Sequence, residues 1–270
     1  MDSDEILIAR AREGDDAALG ELVERYAPRV LRFGMKLCAD EEDARDVLQD
    51  TFLTAARSIR SFRGESRFAT WLYAIARSFC VKRRTRGASA VRLASLDDPA
   101  SGEAAAPALA AREQPDEVLA GLELGTAIER GIRSLEPGQR EVLVLRDVEG
   151  LSAREVADVL GISVEAAKSR LHRARQTLRE RLAPLFQEPP ARPGCPDVIE
   201  LFSRHLEGEI TSSVCQQMEA HLAGCPRCAS RCASLLQVLS GCSAVPEPEL
   251  TPELRAKVRG ELKKALLSES

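Results

Sequence analysis

Cys195, His221, Cys225 and Cys228 have the types and the spacing to hold a metal ion. A histidine one helical turn before a cysteine, followed by Cys-x-x-Cys, brings three ligands to one point. A fourth from a preceding helix closes a tetrahedron, and zinc favours such a Cys3His set. Cys215, Cys232 and Cys242 stand in the same stretch of 48 residues and exceed what one structural site needs. They mark a candidate second site, where surplus soft thiolate suits Cu(I), Cd or a second zinc. A single structural zinc with spare buried cysteines, or a disulfide switch, are the alternatives. Cys38 and Cys80 stand apart and read as small core residues. A hydrolytic zinc centre needs an open position and a nearby acid or base. This set is closed by thiols, with Glu219 its one near carboxylate.

Two basic clusters carry a different chemistry. One is Lys82-Arg83-Arg84-Thr85-Arg86; the other runs from Ala166 to Arg181, with six Lys or Arg against one Glu. The second lies in a pattern with its own logic. Ser152 and Glu155 have the capping-box spacing, Val156, Val159 and Leu160 form an apolar stripe, and Gly161-Ile162-Ser163 makes a turn whose serine can cap a further helix. A short helix, a glycine turn and a basic second helix form a helix-turn-helix. Its second helix would lie in the major groove of DNA. Glu165, Ala166, Lys168, Ser169, Arg170, His172 and Arg173 would face DNA, while Ala167, Leu171, Ala174 and Leu178 face the core. In the first block, Asp46, Gln49, Asp50 and Leu53 lie at i, i+3, i+4 and i+7 and share one helix face. A partly acidic, partly apolar stripe suits a protein partner with basic groups. Trp71 and Tyr73 precede the Lys82–Arg86 tail, a pairing of flat surfaces and cations that suits unpaired bases and their phosphates.

These residues need helices to position them, and the composition supplies them. The chain has 270 residues, 44% hydrophobic and 30% charged, with only 4% aromatic. That balance argues against a β-sandwich or barrel. No apolar run approaches the ~18 residues of a membrane span. The opening MDSDEILIAR lacks a basic region followed by an apolar one, so no secretory signal is expected. The crowded cysteines then belong in a reducing cytosol, where they mean metal more often than disulfides. Apolar residues recur at three- and four-residue steps from Ile6 to Leu37. Further helices are expected from about Asp40, from about Phe68, over Leu119–Leu135 and over Pro137–Val148. Residues 87–115, rich in Ala, Ser, Gly and Pro, read as a flexible linker. Residues 187–196 hold four prolines and read as a stiff tether. Near the end, Leu254, Val258, Leu262 and Leu266 form a four-residue apolar stripe that must dock on something.

The quoted segments, taken in order, resemble the extracytoplasmic-function sigma factors of the sigma-70 superfamily. DARDVLQDTFLTA (Asp43–Ala55) looks like the sigma-2 motif that docks on the clamp helices of the largest RNA polymerase subunit. FRGESRFATWLYAIARSFCVKRRTR (Phe62–Arg86) looks like the element that opens and reads the −10 region, with the base-accepting loop falling on about Phe62–Phe68. Leu135–Arg179 looks like the −35 reader of sigma-4. The segment from Cys195 to Cys228 resembles a zinc-binding anti-sigma domain, and its Glu207-Gly208-Glu209 turn matches that pattern. The fusion resembles CorE-type metal-responsive sigma factors.

The resemblance implies an all-α protein with two helical sigma domains and a small helical metal-binding domain. The boundaries read as 1–86 for sigma-2, 87–115 for the linker, 116–186 for sigma-4, 187–194 for the tether, 195–245 for the Cys-rich domain and 246–270 for a C-terminal amphipathic helix. Polymerase contacts are expected at Asp43, Asp46, Gln49, Asp50, Phe52 and Leu53. DNA contacts are expected at Arg63, Trp71, Tyr73, Lys82, Arg83, Arg84, Glu165, Lys168, Ser169, Arg170, His172 and Arg173. The implied activity is transcription initiation, not enzymatic catalysis, at −35/−10 promoters. Core RNA polymerase (clamp helices and flap) and promoter DNA are the partners, with Zn2+ as cofactor and Cu or Cd at a sensing site. Regulation in cis would need no separate anti-sigma factor, and the location would be cytoplasmic. The competing reading is a helix-turn-helix repressor or activator with a metal or redox sensor that does not bind polymerase as a sigma factor.

Overall fold

The computed structural model describes residues 3–94, 117–190 and 193–267. All regular structure among them is helical. The helices are α1 (Asp4–Arg12), α2 (Asp16–Leu37), α3 (Glu41–Ser58), α4 (Phe68–Ala94), α5 (Glu117–Ser134), α6 (Pro137–Leu143), α7 (Ala153–Leu160), α8 (Val164–Leu182), α9 (Val198–Leu206), α10 (Ser212–Gly224), α11 (Pro226–Ser243) and α12 (Pro252–Leu267). None of the described helices is long and apolar enough to cross a membrane. The expected helices are all present. The segment read as a linker is shorter than expected, because α4 runs on to Ala94. The rest of that segment, 95–115, lies outside the described residues.

The chain divides into two compact units, each built from discontinuous segments. The first holds α1 to α4, Asp158–Gly161 and α12. Its core is formed by α2, α3 and α4, with Phe33, Phe52, Leu48 and Tyr73 all at most 1% exposed. Phe33 and Tyr73 meet at 5.2 Å. Asp40 caps α3 by accepting the Asp43 N–H at 2.8 Å, and three acids follow in the first turn, where the helix dipole favours them. The Sγ atoms of Cys38 and Cys80 lie 3.0 Å apart, Cys80 buried. The C-terminal stripe finds its target in this unit. α12 packs along α3 and buries Leu254, Val258 and Leu262. The Leu266 side chain lies outside the described residues. Arg255 and Arg259 reach Glu24 of α2 at 3.4 and 2.8 Å.

The second unit holds α5, α6, the start of α7 and α8 to α11. The chain turns out of α6 through a π-helical stretch, Val144–Val148, that carries Asp147 and Arg146. The capping box forms: the Ser152 N–H donates to Glu155 at 2.8 Å and the Glu155 N–H donates to Ser152 Oγ at 3.2 Å. Gly161 takes φ +65°, a conformation that favours glycine, and Ser163 accepts the Ala166 N–H at 3.1 Å to start α8. The cysteine-rich helices are not a separate body. α9 and α11 pack on α8, and α11 packs on α5 so closely that a Cβ on Gly241 would stand 2.3 Å from Ile128. The tether therefore joins two parts of one unit.

The α2–α3 crossing in the first unit is equally close. A Cβ on Gly34 would stand 3.2 Å from the Ala44 Cβ and 3.3 Å from its backbone. Backbone cannot move aside as a flexible side chain can. Gly34→Ala is therefore expected to destabilise this unit by about 1–3 kcal/mol, read as a lower urea midpoint.

Candidate metal centre and nucleic-acid interface

The four ligands come from three local devices. His221 sits in the last turn of α10, Cys225 caps α11, and Cys228 lies in the first turn of α11. Cys195 lies in the loop before α9, not on a helix as expected. The four ligand atoms lie within 4.8 Å of one another. The Cys195 and Cys225 sulfurs are 3.7 Å apart, and His221 Nε2 is 3.2 Å from the Cys228 sulfur. Tetrahedral zinc, with bonds of ~2.3 Å to sulfur and ~2.0 Å to nitrogen, spaces its ligands at about 3.5–3.8 Å. The set therefore fits that ion. Val198, Phe202, Leu222 and Cys232 pack around it as an apolar shell. The backbone N–H of Cys228 at the start of α11 draws the Cys225 thiol below its ordinary value. Burial, and then the neighbouring sulfurs, push Cys228 up.

The surplus cysteines do not gather. Cys232 is buried, its thiol 3.9 Å from the Val198 carbonyl, and burial pushes it up to about 11. Cys242 is fully buried. Cys215 is half-buried on α10, beside His205 and Glu219.

Helix α8 presents Glu165, Ser169 and Arg173 as exposed residues, with Arg170 half-buried. Its other polar residues are held by the turn after α9. Arg175, 3% exposed, donates to Asp147 at 2.6 and 3.0 Å, to Glu207 at 3.0 Å and to Ser203 Oγ at 3.2 Å. Burial works against its charge, but Asp147 and Glu207 more than offset it. Glu207 also meets Arg146 at 3.2 Å. Glu209 pairs with Lys168 at 3.4 Å and with His172 Nε2 at 2.6 Å. Partial burial of Glu209 is outweighed by the His172 hydrogen bond and the His172 and Lys168 charges, so its carboxyl lies below the usual range. His172 is thus buried, with Ser203 on its other ring nitrogen at 2.8 Å, and does not face DNA. Gly208, at φ +67°, lets the chain turn back so that both flanking glutamates reach α8. Nearer the helix end, Arg179 donates to Ser234 Oγ on α11 at 3.2 Å and pairs with Glu188. Arg175, Arg179, Asp147 and Ser203 were not among the residues the sequence singled out. Glu207 and Glu209 were noticed only for their glycine turn, though two acids flanking it mirror the basic helix.

In the first unit the acidic face of α3 is half-exposed at Asp43, Asp46, Asp50 and Leu53. Arg83, expected at DNA, bridges the three carboxylates at 3.1 to 3.2 Å. Two expectations fail on burial. Phe52 is 1% exposed and belongs to the core, next to Leu53 but turned inward. Tyr73 is also core, two residues from Trp71 and so on another helix face. Gln49 is 8% exposed. Trp71 is half-buried and packs at a tilt against Phe62 at 4.9 Å and Phe68 at 5.6 Å. Arg63 and Lys82 are exposed, with Lys82 5.3 Å from the Phe79 ring, and Arg84 is exposed as well.

Comparison with known proteins matches each region. Residues 22–89 match the family described as "Sigma-70 region 2", residues 126–178 "Sigma-70, region 4", and residues 195–229 "Putative zinc-finger". The RNA polymerase sigma-H factor of Pseudomonas aeruginosa is 32% identical over 192 residues, which are 70% of this chain and 98% of that protein. The ECF RNA polymerase sigma-E factor of Escherichia coli is 32% identical over 190 residues, 68% of this chain and 97% of that one. Among solved structures, CnrH in complex with the cytosolic domain of CnrY is 29% identical, covering 68% of this chain and 99% of that one at a TM-score of 0.49. RpoE in complex with the anti-sigma factor NepR from Bartonella quintana is 27% identical, covering 60% and 95% at 0.46.

Because the buried thiols must release protons to bind a cation, uptake is expected to weaken as pH falls. Titrating the metal-free chain with Zn2+ at about pH 6 and about pH 8 should show at least ~10-fold weaker affinity at the lower pH. Cys228→Ser should lose the ion and the helical signal of α9 to α11 together.

Proposed function

The chain belongs to the extracytoplasmic-function sigma factors, transcription initiation factors that bind core RNA polymerase and promoter DNA, and on that premise we propose that its own C-terminal segment holds it in check. Membership replaces the reading of a repressor or activator that does not work with polymerase. The half-exposed Asp43–Leu53 face of α3 docks on the clamp helices of polymerase. The Phe62–Phe68 loop, with Arg63 and Trp71, meets the melted −10 strand, and the exposed face of α8 reads the −35 element. The factor acts with polymerase in the cytoplasm.

The observation that carries the inhibitory reading is the grip of Glu207 and Glu209 on Lys168, His172 and Arg175 of α8. Glu209 stands where a phosphate would beside Lys168, so DNA and the turn compete for that face of α8. The α12 helix supports a matching role in the first unit, because it lies along α3, the helix that carries the polymerase-binding face. Cys195, His221, Cys225 and Cys228 hold a structural metal that keeps α9, α10 and α11 together. Zn2+ is the ion their chemistry favours, and it does no catalysis. A sensing role for Zn, Cu or Cd falls to the remaining cysteines, through a shift between held and released arrangements. In this reading the inhibitor is part of the chain. The solved relatives named above are complexes with separate proteins, and the expectation that this chain needs no such partner gains no support from them.

The test is promoter binding and transcription with core polymerase. Glu207→Gln with Glu209→Gln should raise −35 binding and transcript yield at least several-fold over the parent chain. Equal yields would remove the inhibitory reading and leave the sigma assignment standing. Arg173→Ala should cost roughly 1–3 kcal/mol of −35 binding if it meets a base edge, and less, with a smaller salt slope, if it meets phosphate.

A further inference from the structure

Cys38 and Cys80, read in the sequence as two separate core residues, meet in the first unit. They are 42 residues apart in the chain, and their sulfurs stand 3.0 Å apart. That is about 1 Å more than an S–S bond of ~2.05 Å. Neither belongs to the four-ligand centre. Both positions are set by the packing of this unit. Cys38 follows the last residue of α2, and its N–H donates to the Gly34 carbonyl at 2.8 Å. Gly34 is the residue that lies against Ala44 of α3. Cys80 lies about two turns along α4 from Tyr73, whose ring packs on Phe33 of α2 at 5.2 Å. The two sulfurs differ in access. Cys38 is half-buried, whereas Cys80 is 4% exposed. A small oxidant can reach Cys38, while Cys80 is shielded behind it.

We propose that Cys38 and Cys80 form a hydroperoxide-reactive pair, in which Cys38 takes the oxidation and Cys80 converts it to a reversible disulfide. The Cys38 thiolate attacks one oxygen of hydrogen peroxide. The O–O bond breaks and Cys38 becomes a sulfenic acid. The other oxygen leaves as hydroxide and takes up the proton that Cys38 had lost, giving water. Cys80, its proton released, then attacks the Cys38 sulfur. The S–O bond breaks, and the oxygen leaves with that proton as a second water. Two thiols lose two electrons, and one peroxide is reduced to two waters. A small dithiol returns the pair to thiols by exchange, as suits a disulfide that forms transiently in a reducing compartment. The crosslink encloses α3, the Phe62–Phe68 loop and the start of α4. Closing a loop of this length restricts the unfolded chain more than the folded one. Oxidation therefore stabilises the first unit against unfolding.

The experiment exposes the full chain to hydrogen peroxide, alkylates the remaining thiols and maps the tryptic peptides by mass. Trypsin cuts after Lys36, Arg45, Arg77 and Lys82, so the parent should yield peptide 37–45 joined to peptide 78–82. Dithiothreitol should release both. Dimedone, which captures sulfenic acid, should label Cys38 in Cys80→Ala and leave Cys80 unlabelled in Cys38→Ser. Trp71, the chain's one tryptophan, lies in this unit and reports its unfolding by fluorescence. Its urea midpoint should rise by about 1 M on oxidation of the parent and stay unchanged in both variants. Recovery of the two peptides separately alkylated at full yield after peroxide would overturn the pair. A joined peptide without dimedone capture at Cys38 in Cys80→Ala, or with capture at Cys80 in Cys38→Ser, would overturn the order of attack. A joined peptide with an unchanged midpoint would overturn the stabilisation. If Cys80→Ala does not fold, Cys80→Ser takes its place, and the parent's peptide map decides the pair without either variant.

Discussion

Arg175 is the interaction on which the second unit depends. It is a buried cation, as is Arg179 one turn further on, and it touches three elements at once. Asp147 comes from the π-helical stretch before the helix-turn-helix, Glu207 from the turn after α9, and Ser203 from within α9. Their side chains are almost as inaccessible as its own, with Glu207 3% and Asp147 7% exposed. A buried ion pair adds little net stability over a well-packed apolar substitute, but removing one partner leaves an uncompensated charge at a cost of about 3–5 kcal/mol. Such a network fixes register more than it adds stability. It sets where the turn must sit, and so brings Glu209 to His172 and Lys168. Asp147 keeps Arg175 paired from the stretch just before the helix-turn-helix. The turn can therefore leave without stranding the arginine entirely, which is what a reversible contact requires.

The two places where the C-terminal segment meets the rest of the chain use different physics. The turn after α9 engages α8 through the buried Glu207–Arg175 pair and through Glu209 with Lys168, which is partly open to water, so salt and phosphate compete directly with the second of these. The α12 helix engages α3 through Leu254, Val258 and Leu262, with only Arg255 and Arg259 adding charge at Glu24. Apolar burial of that kind responds weakly to salt. A rise in ionic strength thus loosens one contact and spares the other.

Much of this was legible in the sequence because it is local. The Ser152–Glu155 box, the Ser163 cap and the Gly161 turn are short-range devices, and each forms as its spacing predicts. The four metal ligands were legible because three lie within eight residues and the fourth needed only a loop to deliver it. What escaped depended on pairing across distance. The acidic stripe on α3 was visible, but not that Arg83 would neutralise it from α4. His172 was assigned to DNA because its helix position allows that, and nothing local shows a glutamate arriving from 37 residues later. Phe52 and Tyr73 sit beside residues on the outer face, and adjacency in sequence misled where helical phase decides.

The stripe on α12 shows the limit from the other side. Its four-residue period required a partner, and any apolar groove on any helix would have satisfied that requirement. The choice of α3 is made by complementarity that sequence does not display: the groove left open along α3, and Glu24 on α2 placed to receive two arginines one turn apart. Arg255 and Arg259 share one carboxylate, so each alone adds little at an exposed site. Together they select one direction and one register for the helix along the groove, since a shift by a turn would leave one arginine without Glu24. The apolar stripe supplies the attraction, and the arginine pair decides where along α3 it is spent.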